Sequence, residues 1–326
     1  KLIYIDVPFN TESDSFKYND KFNHSTWLTF MKNRLEVAKE LLKKDGLVFI
    51  HCDDNEQAYL KVLADSVFSR NNFMVSVAVK SSTPSGTKTA HKDKKLIKQK
   101  DLILVYKGES EIQLNPQYKA REDWDTHYSL FLEKHWEKYI TRKLIDVLQE
   151  QGFWYTKLEE IDPRNEKIRK FYVQNSDFIV RLQSHKNKEI ERLSREEYKD
   201  EFYEEIQDGD IQWVYYNWQV VTKLTRGIKK VTVGKKTNDY WSILLCDFWD
   251  DIDFQNTQNE WWIDMPNWKK PEALLGRVLS LSTQEWDIVL DFFGWSGTTG
   301  AVAHKMKRQY ILTEQMDYIH DLPEQR

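Results

Sequence analysis

Ile288-Val289-Leu290-Asp291-Phe292-Phe293-Gly294-Trp295-Ser296-Gly297-Thr298-Thr299-Gly300 is the stretch on which the reading of this chain turns. Residues 288–292 form an apolar run of strand length, a glycine-containing turn follows, and a helix is expected after Gly297. Such a strand-to-helix turn lets the backbone approach a nucleoside-type cofactor closely, with the helix N-terminus facing its polar groups. Residues 309–313 read as the next strand and run into Glu314. An acidic residue at that point suits the two ribose hydroxyls of a bound nucleoside, by the logic of dinucleotide folds. The bland alternative is a structural turn with a surface glutamate.

Working outward, residues 271–281 read as a helix before this strand, and α/β character also fills the start of the chain. Residues 2–7 are a short apolar strand. Ser25 is placed to cap a helix whose apolar face carries Trp27, Phe30, Leu35 and Ala38 and which ends near Asp45-Gly46. Residues 47–50 make the next strand, Asn55 is placed to cap a second helix, and residues 73–79 and 102–106 are two more strands. This alternation predicts a parallel-rich sheet. Residues 109–248 change character and are rich in charge and aromatics. Helix is expected at 129–151 and 194–205, and strand at 211–216 and 230–233. One sheet domain interrupted by an insert is therefore expected, with parts at 1–108, 109–248 and 249–326.

Composition narrows the classes. Of 326 residues, 40% are hydrophobic and 31% charged, which excludes a largely disordered chain. No run of about 18 apolar residues is present, so no membrane span is expected. Cys52 and Cys246 are too few for a disulfide framework and read as reduced, packed thiols of a cytoplasmic protein. The chain opens at Lys1 straight into a strand, which reads as a segment of something longer. A net charge of −4 argues against a generally basic coat. Local clusters still suit phosphates: Lys88, Lys92, Lys94 and Lys95 in one polar stretch, and Arg226, Lys229 and Lys230 in the insert. Glycine, at 11, is outnumbered by tryptophan, at 13.

A second site lies at the end of the first strand, Asp6-Val7-Pro8-Phe9-Asn10. Methylating an exocyclic amine needs acceptors that hold its two hydrogens and turn the nitrogen lone pair towards the methyl donor. Asp6 supplies one acceptor and the carbonyl of Val7 or Pro8 another. Phe9 can stack on a base drawn out of the duplex. Asp and Pro after a strand also make ordinary turns.

Further motifs accompany these: Lys1-Leu2-Ile3-Tyr4-Ile5-Asp6, Trp27-Leu28-Thr29-Phe30-Met31-Lys32-Asn33-Arg34-Leu35, Asp53-Asp54-Asn55-Glu56, Asp253-Phe254-Gln255-Asn256-Thr257-Gln258-Asn259-Glu260, Lys269-Lys270-Pro271-Glu272 and Glu314-Gln315-Met316-Asp317-Tyr318. In this order they resemble the modification (Mod) subunits of type III restriction–modification systems, β-class amino-methyltransferases of DNA. The middle stretch Asp123-Trp124-Asp125-Thr126-His127-Tyr128-Ser129 also looks like some members. The resemblance implies a Rossmann-like sheet that uses S-adenosylmethionine, with circularly permuted motifs and an inserted α+β target-recognition domain. It implies transfer to adenine N6 in duplex DNA, with Asp6, Val7, Pro8 and Phe9 at the amine. Asp291, Phe293, Ser296, Gly297, Thr298 and Thr299 would line the methionine end of the cofactor. Glu314 would take the ribose, and Lys270 and Pro271 would close over the carboxylate. A helicase–nuclease restriction subunit and a second Mod copy are the implied partners. No metal is called for, because the sulfonium is already a strong methyl donor.

The departures from the family fall on the chemistry. Val7 replaces a proline and loses its fixed φ, Phe9 replaces a tyrosine, and Glu12 and Ser13 replace a glycine and an asparagine. Trp295 stands at a motif glycine, where an indole is expected to fill cofactor space. Trp261, Trp262, Trp268 and Trp286 also stand where the family tends to carry glycine, and random drift would scatter over many residue types. A DNA-recognition subunit without catalytic power, and a cytosine-N4 methyltransferase, are the alternatives.

Overall fold

The computed structural model describes residues 1–11, 22–85, 89, 92–94, 96–135, 138–184, 188–207, 210–217, 219–234, 236–254, 269–320 and 323–324. Lys88, Lys95, Glu12, Ser13, Trp261, Trp262, Trp268 and residues 255–260 of one motif lie outside the described residues. The chain forms two compact units, one of Lys1–Gln117 with Leu245–Arg326, the other of Tyr118–Leu244.

In the first unit the order is β1 (Leu2–Asp6), α1 (His24–Leu41), β2 (Leu47–Cys52), α2 (Gln57–Phe68), β3 (Phe73–Lys80) and β4 (Lys100–Lys107). The second unit contributes β5 (Tyr118–Ala120), β6 (Leu130–His135), β7 (Lys138–Lys143), α3 (Leu144–Glu150), α4 (Glu166–Gln174), β8 (Ile179–Ser184), α5 (Lys188–Glu196), β9 (Phe202–Gln207), β10 (Asp210–Tyr216), β11 (Gln219–Lys223), β12 (Ile228–Val233) and β13 (Lys236–Leu244). The chain then returns to the first unit with β14 (Phe248–Trp249), α6 (Glu272–Ser282), β15 (Ile288–Asp291), α7 (Thr298–Lys305) and β16 (Gln309–Leu312).

The first unit is a seven-stranded sheet of order β14-β3-β4-β2-β1-β15-β16. Alternate side chains of β1 enter two cores. Leu2 and Tyr4 join Leu274, Leu275, Val278 and Leu279 of α6 and Val302 and Ala303 of α7. Ile3 and Ile5 join Trp27, Met31 and Leu35 of α1 and Leu60 and Ala64 of α2. Every residue of β1 and β2 is buried, as expected of strands covered on both faces. This is the Rossmann-like arrangement that the resemblance implies. One strand departs from the parallel expectation: β4 runs antiparallel to both β2 and β3. Among the described residues between Lys80 and Lys100 there is no α-helix, and a parallel return would need a crossover connection.

The second unit holds a six-stranded sheet, β7-β6-β8-β11-β10-β9, and a three-stranded one, β12-β13-β5. Their pairings are antiparallel. The core around Trp124, Leu144, Leu148, Ile168, Tyr172 and Trp241 is its own. The helix expected over 129–151 is a hairpin, β6–β7, followed by the short α3. That expected over 194–205 is the end of α5 followed by β9. In both places pairing with neighbouring strands overrides local helix preference. The unit boundaries also differ from 108/109 and 248/249. Ile112 and Leu114 pack into the first unit's core, the amide of Asn115 donates to the Leu281 carbonyl at 2.9 Å, and Phe248 pairs with Ala78.

Smaller corrections follow the same physics. Asn23, not Ser25, caps α1, accepting the Ser25 amide at 3.1 Å. Glu56 is the N-cap residue of α2, without a side-chain bond, while Asn55 turns its amide to Asp53 at 3.2 Å. Cys52 is buried as expected, but Cys246 is exposed. Among the described residues, no helix is long and apolar enough to cross a membrane.

Candidate active site

The segment after β1 is pinned from several sides. The Val7 amide donates to the His51 carbonyl at 3.2 Å, which extends the β1–β2 ladder by one bond that a proline could not make. The Trp27 indole donates to the Pro8 carbonyl at 3.0 Å. Asn55 donates to the Phe9 carbonyl at 3.4 Å, and Asn10, at φ 55°, donates to Glu56 at 2.7 Å. Because Trp27 occupies the Pro8 carbonyl, Val7 remains the candidate second backbone acceptor beside Asp6.

Asp6 is only 8% exposed, and its Oδ1 makes no hydrogen bond. The Lys270 ammonium stands 3.0 Å from that oxygen and 4.5 Å from the centre of the Phe9 ring. The ion pair offsets part of the cost of burying this carboxylate, and an oxygen that faces a charge without making a hydrogen bond can still accept from a donor-bearing ligand.

Behind Asp6 lies a polar network that the sequence reading missed. His51 Nδ1 meets the Tyr4 hydroxyl at 3.0 Å and Nε2 meets Asp101 at 3.4 Å. Lys98 bridges Asp101, at 3.1 Å, and Asp53, at 3.0 Å, and stands 5.6 Å from the Phe9 ring centre. Burial, and next the Lys270 charge, push His51 below the ordinary imidazole value. A neutral ring donating from Nε2 and accepting at Nδ1 satisfies both partners. Burial alone would raise the Asp101 carboxyl, but the His51 hydrogen bond and the Lys270 and Lys98 charges outweigh it and hold the group well below the usual range. Asp53 was visible as part of a motif without a role. His51 and Asp101 are single polar residues in apolar strands, and only their pairing across the sheet gives them meaning.

The turn after β15 has a different character. Asp291 is buried and accepts from the Thr299 hydroxyl at 2.6 Å and the Phe293 amide at 2.9 Å. Burial raises its carboxyl to about 8, the hydrogen bonds opposing and the charges of Asp6 and Glu314 adding to the rise. Ser296 and Thr298 share a hydroxyl hydrogen bond of 3.0 Å, and Gly297, at φ 75°, is the N-cap of α7. Glu314 accepts from the amides of Trp295, at 3.0 Å, and Met316, at 3.1 Å. Pro271 is the N-cap residue of α6.

Trp295 sits between the two strand ends. Its backbone is left-handed at φ 44°, its ring lies 6.1 Å from that of Phe293 at 16°, and its indole donates to the Asp6 carbonyl at 2.7 Å. The space bounded by Asp6, Lys270, Asp291, Ser296, Thr298 and Thr299 is reduced to about 20 Å³. That is room for about one water molecule. Trp295 and Phe293 also border a larger pocket of about 490 Å³, lined by Pro8, Phe22, Phe292, Glu314 and Met316 among others. A nucleoside fits the larger pocket. The methionine end of S-adenosylmethionine does not fit the smaller one while Trp295 is there.

Of the basic residues, Lys92 and Lys94 are exposed in the first unit. In the second, Arg226 covers the Trp213 ring at 4.5 Å, Lys229 stands 5.6 Å from the Tyr118 ring centre, and Lys230 is exposed on β12.

The family model described as "DNA methylase" matches residues 1–325. The chain belongs to the DNA methylase family. It is 40% identical over 356 aligned positions to a probable type III restriction-modification enzyme HindVI Mod subunit of Haemophilus influenzae, covering 100% of this chain and 47% of that protein. It is 26% identical to the StyLTI Mod subunit of Salmonella typhimurium, over 91% of this chain and 45% of that protein. This methylase chain thus spans about half the length of the curated relatives it matches. Among solved structures it resembles TTHA0409, a putative DNA modification methylase of Thermus thermophilus complexed with S-adenosyl-L-methionine, at 12% identity and a TM-score of 0.45, covering 100% of this chain and 84% of that one.

Proposed function

We propose that this methylase is the core of a site-specific DNA methyltransferase that methylates adenine N6 in duplex DNA, as the modification subunit of a restriction–modification system. The observation that carries the reading is Asp6, a buried carboxylate at a strand end with Oδ1 making no hydrogen bond, beside Phe9 and one strand away from the turn at 291–299. The exocyclic amine of a flipped adenine donates one hydrogen to Asp6 and the other to the Val7 carbonyl, while Phe9 stacks on the base. Lys270, 3.0 Å from Asp6 Oδ1, is the charged partner of that carboxyl at the site. The pinned backbone from Val7 to Asn10 fixes these groups before binding, which lowers the cost of orienting the amine.

S-adenosylmethionine supplies an activated methyl group when bound. Glu314 and the pocket of about 490 Å³ would hold its nucleoside end. Asp291, Phe293, Ser296, Gly297, Thr298, Thr299, Lys270 and Pro271 are the proposed surroundings of its methionine end once the Trp295 indole no longer fills the space between them. The unit Tyr118–Leu244 is the proposed reader of DNA sequence, with Arg226, Lys229 and Lys230 on phosphates, as Lys92 and Lys94 are in the first unit. Relatives named as Mod subunits of type III restriction-modification enzymes support a restriction subunit as partner, and the proposal adds a second Mod copy and a cytoplasmic location.

The obstruction at Trp295 favours one further reading, a recognition subunit that binds DNA without methylating it. Duplex DNA incubated with radiolabelled S-adenosylmethionine and digested to nucleosides separates the readings. With Trp295→Gly protein, label in N6-methyladenine is the expected result. Label in N4-methylcytosine would replace the adenine assignment, and salt-sensitive DNA binding without label would leave recognition alone.

A further inference from the structure

Two tryptophans of the first unit stand on left-handed backbone, Trp286 at φ 71° and Trp295 at φ 44°. That region crowds any Cβ, is occupied routinely by glycine and next by Asn and Asp, and makes a bulky ring an outlier. The other non-glycine residues there are Asn10, Ser69, Asp200, Asn217 and Lys307, mostly small and polar. Packing is what could hold an indole in such a place, and Trp286 is 70% exposed. Trp295 is packed, but in the space that the methyl donor needs.

The buried tryptophans differ in kind. Trp27, Trp124, Trp241 and Trp249 are at most 5% exposed. Three of them donate their indole N–H to a carbonyl: Trp27 to Pro8, Trp124 to Tyr128 and Trp249 to Cys246.

We infer that positions 286 and 295 are glycine in the protein as its own cell makes it, encoded by UGA that a glycine tRNA reads. UGA is a stop codon in the standard code, is read as tryptophan in some genetic systems and as glycine in others, and lies one base from both UGG and GGA. The buried tryptophans are then encoded by UGG and are tryptophan in fact. For position 286 the inference stands on backbone geometry. For its consequence at 295 it rests on the methyltransferase reading. Glycine at 295 removes the indole from between Asp6 and the turn, and opens the cavity of about 20 Å³ towards the larger pocket. It also accounts for a chain in which tryptophan outnumbers glycine.

The test is the gene's codons together with tandem mass spectrometry of peptides spanning 286 and 295 from protein purified from its own cells. UGA at these positions, UGG at 27, 124, 241 and 249, and glycine in the native peptides are expected. UGG at 286 or 295, or tryptophan in the native peptides, overturns the inference. Calorimetric titration of S-adenosylmethionine into the whole chain gives the functional arm. Trp295→Gly is expected to tighten binding at least about tenfold, while Trp286→Gly leaves it unchanged. Glycine in the native peptide with no binding by Trp295→Gly would uphold the decoding and remove the methyl-donor reading. Tryptophan in the native peptide with binding restored by Trp295→Gly would do the reverse.

Discussion

At the end of β1 an acidic side chain is buried with an oxygen that makes no hydrogen bond. At the end of β15, one strand over, Asp291 uses both carboxyl oxygens on Thr299 and Phe293. Glu314, beyond β16, likewise uses both of its own on the amides of Trp295 and Met316. All three carboxyls were read from the sequence as ligand-holding groups. The structure separates them by what they already touch. Asp291 and Glu314 brace a turn through hydrogen bonds, whereas Asp6 faces the Lys270 ammonium at 3.0 Å and makes no hydrogen bond through that oxygen. What a buried carboxyl already touches says more about its role than its residue type.

That contrast can be broken by substitution, in each case measured on Trp295→Gly protein. The largest effect is expected from Asp6→Ala, with methyl transfer falling by about a thousandfold or more while S-adenosylmethionine binding stays within a few-fold. An equal loss of binding would make Asp6 another brace. Phe9→Ala comes next. Base stacking on an aromatic side chain is worth about 1–3 kcal/mol, so kcat/KM should fall about ten- to hundredfold, with Phe9→Tyr close to unchanged.

Asp291 gives a smaller effect with a defined sign. Its folded-state value of about 8 lies above the ordinary 3.8, so through that window the folded chain keeps a proton that the unfolded chain has lost. Its contribution to stability is complete below the ordinary value and is lost as pH rises through the raised one. Melting temperature should therefore drop by several degrees between about pH 5 and pH 8, and Asp291→Asn should flatten that slope. An unchanged slope would show that Asp291 is ionised in the fold. The smallest effect is expected at Trp286. Relieving left-handed backbone at an exposed site should stabilise by about 1 kcal/mol in Trp286→Gly, read from denaturant unfolding.

What the sequence disclosed follows a physical line. β1, β2 and β15 are continuous apolar runs, and central strands covered on both faces have no other signature. Asp6, Asp291 and Glu314 were legible because each stands where such a run ends. The hairpin β6–β7 was not, because its charged and aromatic residues suit a helix until a partner strand is supplied. The reversal of β4 was hidden because it depends on what joins β3 to it. His51, Asp101 and Lys98 form one network from two strands and a connecting segment, so no window of sequence contains it. The indole at 295 was legible as a bulk problem, but its bond to the Asp6 carbonyl was not.

The pairing of β1 with β15 sets residue 2 beside residue 289 and residue 3 beside residue 290. During synthesis, the strand that carries Asp6 waits for the segment around residue 289 to emerge before it gains this neighbour. The seam between these two distant segments is where the proposed site lies, so its assembly closes a very long loop. Such distant pairings slow folding, and they leave one edge of β1 bare in the nascent chain, a surface on which a chaperone or another nascent chain can settle first.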